Sequence, residues 1–117
     1  MKNLTFLSLA ALLAIPASSA GTGAAGVQLA QISDGFDPEA RYMAACFACH
    51  STGAAGAPRV GPGNAGEWAP RLEEKGLDAI VESTVTGIGT MPPKGLCFDC
   101  TPEELRAIAE FMLESSD

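Results

Sequence analysis

Cys46-Phe47-Ala48-Cys49-His50 is the stretch on which the reading of this chain turns. Two thiols three positions apart, at the end of a helical turn, can each add to one vinyl group of a porphyrin. The residue that follows then sets an imidazole beneath the iron as proximal ligand. The pattern reads as covalent attachment of one haem c, with Cys46 and Cys49 as thioether links and His50 as an iron ligand. A bare Cys-x-x-Cys also leaves open a redox dithiol, half of a zinc site or a disulfide. His50 is the sole histidine of the chain, and its place directly after the second thiol favours the haem. A haem protein needs in addition a second axial ligand, a loop over the ring and helices to enclose it.

Upstream of the motif, Asp37-Pro38-Glu39 predicts a helix start. Asp37 is the cap, Pro38 the first helical residue, and Glu39 lies near the positive end of the dipole. The helix is expected to run through Tyr42, a packing residue one turn before Cys46, and to end at the haem motif. Gly21 to about Gly35 is rich in Gly, Ala and Gln and without a period. Residues 21–36 are therefore read as a flexible lead before a domain at 37–117. Residues 1–20 read as an export signal. Lys2 is basic, Leu4 to Ile15 is apolar but for Thr5 and Ser8, and Pro16 and Ser18-Ser19-Ala20 follow as a cleavage site. That apolar run is shorter than the roughly 20 residues of a membrane span. An uncleaved anchor is the less favoured alternative, and no stable membrane insertion is expected.

The formal net charge of the chain is −7, and it becomes −8 when Lys2 leaves with the leader. Such a balance carries no basic footprint for nucleic acid and points to partners that present positive patches. Export places the four cysteines in an oxidising compartment, the periplasm of a bacterium, where a spare pair can form a disulfide. A domain this small buries only a modest fraction of its surface, and a haem would supply much of the missing core.

Downstream, residues 51–66 contain Gly53, Gly56, Gly61, Gly63, Pro58 and Pro62 and predict a loop without helix or strand. Beside a haem, such a loop lets the backbone approach the ring and offers a carbonyl to the free nitrogen of His50. Pro58 is the first choice for that carbonyl and Pro62 the second. An ordinary surface loop is the alternative. Residues 67–75 and 77–86 read as two short helices separated by Gly76, the second with Leu77, Ile80, Val81 and Val85 as a core stripe. Trp68 and Arg71 share a face and are candidates for holding a haem propionate; an Arg lying over a packed Trp explains them equally well.

Gly87-Ile88-Gly89-Thr90-Met91-Pro92-Pro93-Lys94-Gly95 excludes helix around Met91, which suits a thioether that reaches iron from a loop. Met91 is the second axial candidate; Met43 and Met112 lie in helical patterns and read as core. Cys97-Phe98-Asp99-Cys100 is followed by Thr101, so a second haem is excluded. The pair reads as a small disulfide worth about 2 kcal/mol, with a redox-active dithiol as the sharper alternative. Thr101-Pro102-Glu103-Glu104 is a capping box opening a last helix with Leu105, Ile108, Ala109 and Met112 on one face.

Taken together, these motifs resemble the small monohaem class I cytochromes c, and in particular the exported bacterial cytochrome c5 branch. The resemblance spans about residues 37–114. It is carried by Tyr42, the Cys46–His50 motif, Gly53 to Pro58, Trp68 with Arg71, Met91-Pro92-Pro93-Lys94-Gly95, Cys97 with Cys100, and Phe111. It implies an all-α cytochrome c fold, about four helices wrapped around one covalently bound haem, the first and last crossing beside it. It also implies His50 and Met91 as axial ligands and one-electron transfer between periplasmic partners. Many class I cytochromes have glycine where this chain has Pro38, which puts the angle of that crossing in question.

The expected function is that of a monomeric, diffusible electron carrier, not an enzyme, meeting redox protein partners in weak and transient encounters. The alternative is a haem c electron-accepting subunit of an exported oxidoreductase complex. The absence of a large apolar stripe once the helices are packed counts mildly against that alternative. A zinc module from the two cysteine pairs is disfavoured by the long gap between them, and a thioredoxin-like enzyme by the lack of a strand–helix alternation.

Overall fold

Asp37 begins the first helix in the expected way. Its Oδ1 accepts the N–H groups of Glu39 and Ala40 at 3.0 and 3.2 Å, and α1 runs over Pro38–Ala45. These coordinates are a computed structural model that describes residues 31–117. The leader expected at 1–20 and most of the lead expected at 21–36 lie outside the described residues. The helix expected to reach the haem motif breaks at Cys46, which has φ −121° and ψ −31°, and a single turn, α2 (Phe47–His50), follows. The 51–66 loop is not wholly irregular. Ala54–Gly56 form one 3-10 turn, in which Ala55 has a positive φ of 54°. The third helix, α3 (Ala65–Thr86), is two helical segments meeting at Gly76, where φ is 76° and ψ 166°. The break at Gly76 is the expected one, and glycine is the residue that adopts it without strain. The helix starts two residues earlier than expected. The last helix, α4, covers Pro102–Glu114. Among the described residues there is no strand; Ile88 and Met91 form an isolated bridge.

Helices α1 and α3 both pack on α4. Tyr42 of α1 lies 5.6 Å from Phe111 of α4, ring centre to ring centre, and 6.0 Å from Phe47. Tyr42, Trp68, Leu105, Ile108 and Met112 form the core together with Cys97 and Cys100, which are joined by a disulfide. Met43 does not belong to it: the side chain expected in the core is 52% exposed, because α1 turns Tyr42 and Ala45 inward instead. Ile88, Leu96 and Phe98, which lie between α3 and α4, are also more than half exposed.

The capping box forms in full and does more than cap. Glu104 N–H donates to Thr101 Oγ1 at 3.2 Å, and Glu104 Oε2 accepts Thr101 N–H at 2.9 Å. The second carboxylate oxygen, Oε1, accepts Ser33 N–H at 3.0 Å. Phe36 packs on the core. The last residues of the lead are thus docked on α4 rather than free, and a carboxylate that is 2% exposed has a partner for each oxygen.

The hydrogen bonds from Ser33 and Thr101 hold the Glu104 carboxyl below its ordinary value of 4.5. A carboxylate favoured by folding contributes stability above its ordinary pKa and loses it as pH falls through the lowered native value. Glu104→Gln is therefore expected to cost about 1 kcal/mol at neutral pH. Urea unfolding of both proteins at neutral pH and again near pH 3 checks this, with the wild-type advantage shrinking in acid.

Candidate haem site

Between α3, α4 and the two loops lie adjoining apolar cavities of about 140 and 370 Å³. Cys46, His50, Pro58, Arg71, Ile88 and Met91 line both. Trp68, Ile80, Leu105, Ile108 and Met112 wall the inner one. Cys49, Ala54, Ala55, Thr90 and Leu96 border the outer one. The stripe expected on α3 therefore divides. Val81 is core, whereas Ile80 faces the cleft with Ser83 and Thr84 beside it. Neither hydroxyl is left unpaired there, since Ser83 donates to Ala79 O at 2.8 Å and Thr84 to Ile80 O at 3.0 Å.

On the proximal side, His50 is 7% exposed and its Nδ1–H donates to the Pro58 carbonyl at 2.7 Å, the first of the two expected partners. That contact assigns the proton to Nδ1 and leaves Nε2 as the nitrogen free for a metal. Burial pushes the imidazole below its ordinary pKa, against the opposing pull of the Pro58 bond, so the ring is neutral at pH 7. Trp68 lies 6.0 Å from the His50 ring and 20° from parallel. Its N–H donates to Arg59 O at 2.7 Å. That donor is spent within the chain, and the Trp68 ring backs the imidazole. Arg71 borders both cavities while donating to Glu67 O through Nη1, and it keeps further N–H groups for a carboxylate.

The two motif cysteines are not joined in a disulfide, Cys46 being half-buried and Cys49 exposed. Burial, with Cys49 beside it, pushes the Cys46 thiol up to about 11. Cys49 N–H and His50 N–H both donate to Cys46 O, at 3.3 and 3.1 Å, so one turn of helix presents all three side chains together.

Across the cleft, Met91 stands on a tight turn. Ile88 N–H and Met91 N–H are exchanged with each other's carbonyls at 3.0 and 2.9 Å. Thr90 Oγ1 donates to Ala55 O at 3.1 Å, joining this turn to the loop under the opposite wall. Lys94, with a positive φ of 60°, donates its N–H to Thr84 O at 2.8 Å and its Nζ to Cys100 O at 2.9 Å. The disulfide loop therefore anchors the Met91 loop through Lys94. Sequence reading missed Thr90, Lys94 and Glu67 as parts of the site: the partner of Thr90 lies 35 residues away, and the bonds of Lys94 and Glu67 run between loops and helix ends that no periodicity marks.

An imidazole with one free nitrogen, a thioether lining the same cleft and two unpaired cysteines beside it, in a carbon-walled space, fit a covalently attached haem. The comparisons agree. Residues 34–112 match the profile of the family described as cytochrome c oxidase, cbb3-type, subunit III. Cytochrome c5 of Azotobacter vinelandii is 45% identical over 74 residues, which cover 62% of this chain and 83% of that protein. A mono-haem ferrocytochrome c from Shewanella putrefaciens superposes with a TM-score of 0.59 at 44% identity, covering 75% of this chain and all of that one. The cytochrome c in an electron-transfer complex with nitrite reductase gives 0.61 at 35% identity, covering 68% and 94%.

Fold, cleft and relatives place the chain among the monohaem class I cytochromes c, and it carries one covalent haem c. Within that class it belongs to the cytochrome c5 type.

The Met91 turn depends on Gly87. A Cβ there would stand 2.9 Å from Met91 O and from Pro93 N, and 3.1 Å from Pro92 C, all backbone atoms, at a φ of +84°. Gly87→Ala is expected to displace the loop and to destabilise the protein by about 1–3 kcal/mol. Thermal unfolding of the two proteins measures it.

Proposed function

We propose that the chain is a periplasmic one-electron carrier in which Cys46 and Cys49 hold the haem, His50 and Met91 fill its two axial positions, and Arg71 meets a propionate. One observation carries this reading: the thiols, the imidazole and the thioether all converge on a single carbon-walled cleft. Bound there, the haem supplies an iron that gains and loses one electron. The protein's work is to hold and exclude. Pro58 fixes the imidazole, Thr90 and Lys94 fix the turn that bears Met91, and Ile80, Leu105, Ile108 and Met112 keep water out. A thioether opposite an imidazole raises the reduction potential relative to harder ligands. No second histidine exists in the sequence to serve as a base, and the reading is of a carrier rather than an enzyme.

Export is supported by the leader pattern at 1–20, and no helix among the described residues is long and apolar enough to cross a membrane. For the partner, the lining of the outer cavity is informative. It contains no carboxylate, although the chain is strongly acidic. Ala48, Ala54, Ala55, Ile88 and Leu96 surround the mouth, so the docking face is apolar and the net charge acts mainly at long range. The expectation of a positively charged partner is narrowed accordingly. A small apolar contact suits a weak encounter of a monomer with a redox protein, as in the nitrite reductase complex formed by a relative. The family's description as an oxidase subunit, together with Phe98 at 72% exposed, favours a second reading as a haem c subunit of an oxidoreductase. Co-purification in fixed stoichiometry would decide for it.

Met91→His tests the ligand set. The pigment is expected to stay with the polypeptide on acid–organic extraction, and the reduction potential to fall because imidazole replaces thioether. An unchanged potential would remove Met91 from the site.

A further inference from the structure

Residue 59 is fastened to the first turn of α3 through its backbone N–H and carbonyl and through its guanidinium. Its N–H donates to Glu67 Oε2 at 2.7 Å, and its Nε donates to Glu67 Oε1 at 2.6 Å. Its Nη2 stands 2.6 Å from the same Oε1, and its carbonyl accepts the Trp68 indole N–H at 2.7 Å. The residues on either side return to the proximal histidine. Pro58 O accepts His50 Nδ1–H at 2.7 Å, and Val60 N–H donates to His50 O at 2.8 Å. The segment 58–60 is thus a strap with one edge on His50 and the other on α3. An ordinary surface ion pair joins only side-chain ends. Here one carboxylate grips a backbone N–H and the guanidinium together, so it acts on the peptide that carries the Pro58 carbonyl.

We propose that Arg59 and Glu67 form a clasp that holds the Pro58 carbonyl on His50 Nδ1 and thereby sets the electron-donating strength of the imidazole. They are positioning residues for the axial ligand, and the inference rests on the reading of His50 as that ligand. A firm acceptor at Nδ1 makes the imidazole a stronger donor and favours the oxidised metal. Loosening the strap weakens that donation and raises the reduction potential. Charge alone predicts something different. Removing the Glu67 carboxylate would raise the potential, and removing the Arg59 guanidinium would lower it.

The haem-loaded wild type, Glu67→Gln, Arg59→Ala and Arg59→Lys separate the two. The measurements are the reduction potential and, by proton NMR of the reduced protein, the solvent exchange of His50 Nδ1–H. Both Glu67→Gln and Arg59→Ala are expected to raise the potential and to speed exchange by about tenfold. Arg59→Lys keeps the charge and loses the Nε contact, and it is expected to raise the potential by less. Potentials that move in opposite directions for Glu67→Gln and Arg59→Ala, or exchange that stays at the wild-type rate, would overturn the clasp. Wild-type His50 ring protons without the large shift imposed by a porphyrin would instead overturn His50 as ligand. The two failures are therefore distinguishable.

Discussion

The hydrogen bond from His50 Nδ1 to the Pro58 carbonyl spans 2.7 Å between a single helical turn and a loop with little regular structure. An imidazole turns about two side-chain bonds, and nothing in the sequence Cys-x-x-Cys-His itself stops it. Only a partner on one nitrogen makes the other a directed donor. The fold is arranged to keep that partner still. Trp68 lies against the imidazole and bonds the next carbonyl, and Val60 N–H ties the loop back to His50 O. The segment is stiff because its backbone groups are nearly all spoken for, although it is neither helix nor strand.

That arrangement explains which parts were legible in the sequence. The caps at Asp37 and Thr101 and the break at Gly76 are local: each depends on residues within four positions of one another, and each appears as expected. What escaped was decided by distant partners. Trp68 left open a propionate contact or plain packing, and the partner of its N–H, Arg59 O, lies nine residues away; Met43 looked like core until α1 was seen to turn Tyr42 inward. Ile80 matched a core stripe by period, yet period cannot distinguish packing against protein from packing against a cofactor. The docked end of the lead was hidden for the same reason, since Ser33 and Glu104 are 71 residues apart.

Charge and surface have also to be separated. Fourteen acidic residues against seven basic ones give the chain its long-range field, but the mouth of the cleft is lined by alanines, Ile88, Leu96 and one arginine. Net charge acts at long range, whereas an apolar lining acts only on contact.

Of the two side chains His50 and Met91 that line the cleft, one is carried by a single helical turn and the other by a loop, which raises the question of how their spacing is kept. Thr90 Oγ1 to Ala55 O supplies one answer, since it joins the Met91 turn to the 3-10 turn just before Pro58. Lys94 supplies the other by reaching Cys100 O, in a loop closed by the Cys97–Cys100 disulfide and packed beneath α1 and α4. Each loop is thus tied to the other and to the helical core: the proximal one through Glu67 and Trp68 of α3, the distal one through Lys94. A displacement of either donor would have to break bonds at both ends. The long helices carry neither His50 nor Met91. Their task is to hold the ties, and the short disulfide matters because it gives the distal tie a fixed point so close to Met91.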